Sequence, residues 1–186
     1  MTHQQRMTLG GLSAILGGAL WVASIAWYAQ QPMGKDGLKE GWDMFNRLVT
    51  LIPVFFAAPL YSMQRPSSAG HGGRFPRSLL AVLVGIGLAA VFRLLVDLGI
   101  LPSPFAFLAI MFFSLTFLWC LVATLGAGVF PRMASGALLV ATLVMLAFVS
   151  TDSNLIWFAA PFGAAWVGVG SVLLLSRSYS LSPDSA

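Results

Sequence analysis

Hydrophobic residues in this chain form long blocks, and the charged and turn-forming residues are concentrated in the short stretches between them. A helix needs about 20 apolar residues to cross the roughly 30 Å hydrocarbon core of a bilayer, where unpaired backbone groups are costly. The blocks show neither the one-sided stripe of a soluble helix nor the alternation of a half-buried strand. The pattern therefore predicts six membrane-spanning helices at residues 9–30, 46–63, 79–101, 105–130, 134–150 and 154–176.

The last two predicted spans are separated only by a short polar turn that contains Asp152 and Asn154. A re-entrant hairpin is therefore an alternative to two crossings at this point. Each flank reaches spanning length, and the polar turn is typical of a connection outside the membrane, so the pattern favours two crossings.

Composition supports a membrane protein, because 58% of the residues are hydrophobic and only 9% are charged. A water-soluble domain carries about 25% charged residues, so a soluble monomer is excluded. We expect an all-α, polytopic membrane protein that forms one six-helix integral membrane domain over residues 1–186. Residues 64–78 are predicted to be a basic cytoplasmic loop, and residues 178–186 a short cytoplasmic tail.

The orientation of the spans follows from the Lys and Arg residues in the connections, because positive charge is retained on the cytoplasmic side. Every second connection carries arginine, and these positions are Arg6, Arg65, Arg74, Arg77, Arg132 and Arg177. In the other connections the basic residues are Lys35 and Lys39, and nearby acidic residues offset their charge. Both termini are therefore predicted to be cytoplasmic. The opening Leu-Gly-Gly and Leu-Trp run and the preference for arginine over lysine resemble many small bacterial membrane proteins, a general resemblance that transfers no residue roles. We expect a multi-pass protein of the bacterial cytoplasmic membrane.

Small residues spaced by four predict where helices approach closely, since helices in lipid associate through packing rather than hydrophobicity. Two such faces are predicted to meet, Gly10, Ala14 and Gly18 on the first span and Ala160, Ala164 and Gly168 on the sixth; Gly85 and Ala89 form a shorter face on the third. Pro53 and Pro59 are expected to bend the second span, and Pro161 the sixth, because proline removes a helical hydrogen bond.

Arg93 is the most informative charged residue, because it lies about 21 Å along a helix that starts near residue 79. Charged residues inside a membrane are costly and need a partner. Asp97 lies four residues further and can pair with Arg93 along one helix face. Asp43 and Arg47 have the same spacing on the second span. Because neighbouring spans run antiparallel, the two pairs are predicted to form a cluster near the outer surface.

Two interpretations of this cluster remain open. In the first, the charges neutralise one another and join the second and third spans. In the second, Arg93 lies at the base of an outward vestibule and binds an anionic group, with Asp97 fixing its orientation and two tryptophans forming apolar walls. The candidate ligand-binding residues are Arg93, Asp97, Arg47, Asp43, Asn46, Trp42, Asp152, Asn154 and Trp157.

Several kinds of chemistry lack their residues in this sequence. The predicted spans contain no histidine or lysine, so neither a haem held by two imidazoles nor a retinal Schiff base is expected. Cys120 is the only cysteine. We therefore predict no metal site and no cofactor. An intramembrane enzyme remains an alternative only through outer-edge carboxylates, and Asp97 with Asp152 is the pair to consider.

The sequence thus predicts a non-enzymatic membrane protein that acts as a transporter-like module or binds a small solute or lipid. The alternative is an accessory or assembly subunit of a larger membrane complex. The predicted partners are the lipid bilayer, a small anionic or lipid ligand, and a second membrane protein or another copy of the chain. Nucleic acid is not expected, since the high isoelectric point reflects the positive connections rather than a basic surface.

Overall fold

The computed structural model describes residues 3–34, 39–62, 74–102, 111–112, 114–115, 117–119, 121–122, 132–148 and 154–179. These residues confirm the all-α class, since among them the only β pairing is an isolated bridge between Met33 and Lys39. The helices are α1 (His3–Ala29), α2 (Trp42–Leu51), α3 (Val54–Ser62), α4 (Arg74–Asp97), α5 (Arg132–Phe148), a 3₁₀ helix (Asn154–Ala159) and α6 (Ala160–Tyr179). Within 111–122 the described residues are also helical.

Four described segments are long and apolar enough to cross a membrane, which fits a helical membrane protein but not the predicted count of six spans. They are Gln4–Ala29, Trp42–Leu60, Leu80–Asp97 and Leu155–Leu175, and they correspond to the predicted first, second, third and sixth spans. In place of the predicted span 134–150 the structure has α5, whose described apolar part, Gly136–Ala147, is shorter. Most of the predicted span 105–130, of the loop 64–78 and of the tail 178–186 lies outside the described residues.

Helices α1 and α6 pack backbone against backbone through two reciprocal glycine pairs. A Cβ atom at Gly163 would lie 2.7 Å from the carbonyl oxygen of Gly18, and a Cβ at Gly170 would lie 2.5 Å from that of Gly11. The two helices are antiparallel, because Gly11 pairs with Gly170 and the later residue Gly18 pairs with the earlier residue Gly163. The seven-residue spacing on both helices is typical of packing at a shallow angle of about 20°.

The predicted contact between the first and sixth spans therefore exists, but the face predicted on the sixth span is wrong. Ala164 and Gly168 are exposed, and a Cβ at Gly168 would meet nothing within 4 Å. On α1, Gly18 does face α6, whereas Gly10 lies against Ser62 and Pro59 of α3. The spacing of four misled the prediction because glycines seven residues apart keep one contact line over two turns of an antiparallel pair.

Proline shapes the segment that corresponds to the second predicted span. The helix is interrupted at Ile52 and Pro53, where it tightens into i−3 hydrogen bonds from Phe55 to Ile52 and from Phe56 to Pro53, each 2.9 Å long. Further along, Pro59 cannot donate to the carbonyl of Phe55, four residues before it. Helix α1 repairs this loss, because the Ser13 hydroxyl donates to that carbonyl at 2.7 Å.

Large aromatic side chains fill the centre of the bundle where α1, α3 and α6 meet. Phe56 stacks on Trp166 with ring centroids 4.3 Å apart, and the edge of Phe162 approaches both Phe56 and Trp21. Trp21 also donates its indole N–H to the Ala159 carbonyl at 2.8 Å, which joins α1 to the 3₁₀ helix. Packing of this kind gives aromatic rings about 0.5–1.5 kcal/mol per pair beyond their buried area.

Candidate functional site

One end of the bundle brings together the C-terminus of α1, the N-terminus of α2, the C-terminus of α4 and the 3₁₀ helix. This arrangement follows from the antiparallel contacts of α1 with α3 and α6, and from the contact between the start of α2 and the end of α4. We call it the Asp97 end. The described candidate residues belong to three elements that meet at the Asp97 end, namely α2, α4 and the 3₁₀ helix.

Arg93 occupies a position of α4 that belongs to the buried face of the helix. Val82, Ile86, Ala89 and Arg93 follow one another at spacings of four, three and four, and all four are buried. An arginine therefore continues an otherwise apolar stripe, with only 6% of its surface exposed. It lies about 6 Å along the helix from Asp97, the last residue of the apolar segment, so it is inside the predicted hydrocarbon layer.

Asp97 is the partner of Arg93, at the predicted spacing of one helical turn. The Arg93 Nη2 atom donates to Asp97 Oδ1 at 2.6 Å. The carboxylate is 29% exposed, whereas the guanidinium is buried. A charge-assisted bond of this length fixes the guanidinium strongly, so Asp97 orients Arg93 from the exposed side.

Arg47 of α2 approaches the same carboxylate oxygen from the neighbouring helix. Its Nε atom lies 3.4 Å from Asp97 Oδ1, and its side chain is 53% exposed. This distance is longer than the 2.7–2.9 Å that is usual for such pairs, so the contact is looser than that of Arg93. We call Arg47, Arg93 and Asp97 the triad. Two guanidiniums share one carboxylate in it, so its formal charge is +1.

Asp43 does not join the triad, although the four-charge cluster was predicted to include it. Its side chain is exposed, and within the described part of the chain it has no ion pair. Asp43 lies in the first turn of α2, where a negative charge stabilises the helix dipole. Arg47 is four residues away but bonds across to Asp97, since helix packing brings that carboxylate within reach.

Arg93 retains an unused donor. Its Nε atom is buried and has no hydrogen-bond partner among the described residues, and the same holds for the indole nitrogen of Trp166. A buried polar group without a partner costs about 1–3 kcal/mol, and more when the group is charged. The Nε atom of Arg93 is therefore a donor for which an oxygen ligand would supply the missing bond.

The remaining candidate residues have different surroundings. Trp42 is half-buried and packs against the rings of Tyr28 and Phe45, at 6.0 and 6.1 Å. The side chain of Asn46 is half-buried, and its main-chain carbonyl accepts a hydrogen bond from Thr50 at 2.7 Å. Trp157 lies in the 3₁₀ helix and is 46% exposed. Asn154 begins that helix, and Asp152 lies outside the described residues.

Lys39 is a buried charged residue that the sequence placed among ordinary loop charges. Its Nζ atom donates to the carbonyl of Ala29, in the last turn of α1, and only 7% of the residue is exposed. A cation at a helix C-terminus satisfies a free carbonyl and stabilises the dipole. Two residues later, Gly41 turns the chain into α2 with a φ of 76°, but no local sequence pattern marks Lys39 for this role.

Metal binding finds no support in the part of the chain that the structure describes, where no three His, Cys, Asp or Glu side chains are grouped to hold an ion. The triad instead offers guanidinium donors and one carboxylate, a set suited to an oxygen anion. Comparison with known proteins gives no family for the chain: no protein-family model matches it, and neither do any curated protein or solved structure.

Proposed function

We propose that this protein crosses the bacterial cytoplasmic membrane six times with both termini in the cytoplasm, so that the triad lies beneath the outer leaflet. The start of α1 and the end of α6 lie at the end of the bundle opposite Asp97, which agrees with an even number of crossings. Arg6, Arg74, Arg77 and Arg177 belong to the helix termini at that opposite end. The positive-inside rule makes this end cytoplasmic.

The function that we propose is the binding of a small anionic solute or a lipid headgroup at the triad. The observation that carries this proposal is the buried Nε atom of Arg93, which lacks a partner among the described residues and lies next to a carboxylate shared by two arginines. A purely structural pair would need only one arginine to neutralise Asp97. The second arginine leaves a positive charge that an anionic ligand can compensate.

The triad residues have distinct roles in this proposal. Asp97 is a positioning residue, because its bond to Nη2 holds the Arg93 guanidinium in one orientation and leaves Nε free. Arg93 supplies a buried donor that Asp97 holds in place, and Arg47 supplies a half-exposed donor. Arg93 is buried, so the attraction between its guanidinium and an anion is stronger than at a protein surface.

The aromatic centre of the bundle supports binding at the Asp97 end rather than a wide path along the bundle axis. Phe56, Phe162 and Trp166 are each completely buried, and Phe117 is 1% exposed. In a transporter-like role these side chains would have to move apart before a solute could pass. The ligand-binding step itself needs no such movement.

Replacing Arg93 with methionine tests the proposed function. The full chain, purified in a mild detergent, would be titrated with monocarboxylates, phosphate esters and phospholipids while its thermal unfolding is followed. We expect at least one of these to stabilise the wild type, and Arg93→Met to weaken that binding about tenfold or more, since a charge-assisted pair contributes well over 1 kcal/mol. Arg6→Met, the same substitution at the opposite end, should leave binding unchanged.

Arg47→Met provides a second test, because Arg47 is half-exposed and its loss should not impair folding. A fall in affinity for both triad variants, with Arg6→Met unaffected, supports the proposal. Equal affinity of Arg93→Met, Arg47→Met and wild type, or no binding by the wild type to any of these anions, would overturn it.

A further inference from the structure

The exposed part of the triad, the side chain of Arg47 and the carboxylate of Asp97, lies between α2 and α4. Arg47 lies on the face of α2 that also carries Met44 and Leu51, at spacings of three and four residues. Asp97 lies on α4 at the edge of the face that carries Leu94 and Leu98. All four of these apolar residues are more than half exposed.

Exposed apolar side chains on a membrane-spanning helix are in contact with lipid, because acyl chains are the solvent there. On both helices, the exposed apolar side chains next to the Arg47–Asp97 pair are thus lipid-facing. Leu98 follows Asp97 directly, and Leu94 lies one turn below it. A ligand entering on this side would have its anion at Arg47 and its apolar part against these residues.

Depth agrees with a lipid headgroup. Asp97 is the last residue of the apolar segment of α4, and Arg93 lies about 6 Å deeper. The phosphates of a leaflet lie at the edge of the hydrocarbon core, within the interfacial region. The long side chain of Arg47 can reach this level by extending toward the interface, as arginine commonly does in membranes.

The formal charge of the triad indicates which class of headgroup fits best. The triad carries +1, so a phosphodiester with a single negative charge makes a neutral complex, which is the least costly state in a poorly solvated site. The two free oxygens of a phosphodiester match the donors that remain, the buried Nε of Arg93 and the loosely held guanidinium of Arg47. Arginine forms paired hydrogen bonds of this kind with phosphate oxygens.

We infer that the triad binds the phosphodiester of an anionic phospholipid from the outer leaflet, with the acyl chains lying along Met44, Leu51, Leu94 and Leu98. This inference rests on the proposed function and names its ligand class. The phosphate oxygens accept from Arg93 Nε and Arg47, while Asp97 keeps its bond to Arg93 Nη2. No covalent step is involved.

The experiment compares three probes on delipidated full-length protein in detergent, by native mass spectrometry and thermal unfolding. The probes are short-chain phosphatidylglycerol, its soluble headgroup glycerophosphoglycerol, and the uncharged lipid diacylglycerol. We expect phosphatidylglycerol to bind about tenfold or more tightly than either of the other two, since both the charge and the chains contribute. Arg93→Met and Arg47→Met should each remove most of this preference.

Variants of the exposed apolar residues beside the triad distinguish binding of the whole lipid from binding of its headgroup alone. Leu94→Ser should weaken phosphatidylglycerol about threefold or more, as a lost contact with the acyl chain requires, and leave glycerophosphoglycerol unchanged. Leu175→Ser changes an equally exposed leucine near the end of α6, far from the triad, and should have no effect on either probe.

The outcomes distinguish the two proposals. If glycerophosphoglycerol binds as tightly as phosphatidylglycerol and Arg93→Met weakens both, the lipid inference is wrong while the anion-binding function stands. If phosphatidylglycerol binds but Arg93→Met and Arg47→Met do not change its affinity, the lipid is bound elsewhere on the surface, and the inference is overturned. If none of the three binds but a soluble carboxylate does so through Arg93, the inference also fails and the proposed function stands.

Discussion

The α1–α6 interface and the α2–α4 interface of this protein are held together by different contacts. Between α1 and α6, four glycines bring the two backbones together. Between α2 and α4, the contact that joins the helices runs from the long side chain of Arg47 to Asp97. Of the four described spans, that of α1 is the most buried, at 44%, and that of α4 is the least, at 28%, while the spans that contain α2 and α6 are both 39% buried.

This difference indicates at which interface the helices can shift relative to each other. Close backbone packing tolerates almost no displacement, because an added methyl group already overlaps the facing carbonyl. A salt bridge between long side chains tolerates shifts of about an ångström with a modest loss of energy. We therefore regard α1, α3 and α6 as the scaffold of the protein and the α2–α4 contact as the part that can adapt.

The largest expected effect is that of Gly163→Ala, which breaks the scaffold side of the comparison. Its Cβ would lie 2.7 Å from the Gly18 carbonyl oxygen and 2.9 Å from the Trp21 ring. We expect the free energy of unfolding to fall by about 1–3 kcal/mol, as overpacking usually costs. Titration with a denaturing detergent, followed by far-ultraviolet circular dichroism, measures this change.

Gly168→Ala is the matched control, because it makes the same substitution on the same helix at a position with open space around it. Alanine favours helix over glycine by up to about 1 kcal/mol, so this variant should be unchanged or slightly more stable. A similar loss of stability in both variants would contradict the backbone contact between α1 and α6.

A smaller effect is expected from Ser13→Ala, which leaves the carbonyl of Phe55 without its donor. We expect a loss of about 1 kcal/mol in the free energy of unfolding, the usual value for such a hydrogen bond. Pro59→Ala returns a backbone N–H to the same carbonyl. Ser13→Ala should therefore cost less in that background, and strictly additive effects in the double variant would show that α1 does not repair the proline break.

The smallest effect on stability is expected from Arg47→Met, which sharpens the α2–α4 side of the comparison. The pair is half-exposed and 3.4 Å long, and contacts of this kind contribute little. The thermal midpoint should fall less than in Ser13→Ala, and the difference from wild type should shrink further in 1 M salt because salt screens exposed charges. The loss of stability in Gly163→Ala should not depend on salt. If salt changed it as much as it changes the loss in Arg47→Met, the two interfaces would not differ in the kind of contact that holds them.

The Arg93–Asp97 pair shows how far local spacing can predict a site. Two residues four apart on a helix face the same direction, so the pair needed no knowledge of neighbouring helices. The same reasoning failed for Asp43 and Arg47, which have equal spacing. There the competing partner, Asp97, comes from another helix, and no local pattern reveals it.

The buried position of Lys39 could not be read from the sequence either. A lysine in a polar connection is normally solvated, and its contact with the Ala29 carbonyl depends on how the chain returns from α1 to α2. The helix C-terminus supplied a general reason for a nearby cation, but the choice between Lys39 and the other basic residue of the connection needed the fold.

The sequence by itself determined that the chain is helical, that several of its segments are long and apolar enough to cross a membrane, and that Asp97 lies one helical turn from Arg93. These properties are local, because each helical residue adds about 1.5 Å along the axis and the apolar blocks set where a helix enters and leaves the bilayer. Only the tertiary structure decided that Gly163 and Gly170, rather than Ala164 and Gly168, face α1. It also decided that Arg47 bonds to Asp97, because the rotation of a helix about its axis depends on all of its neighbours at once.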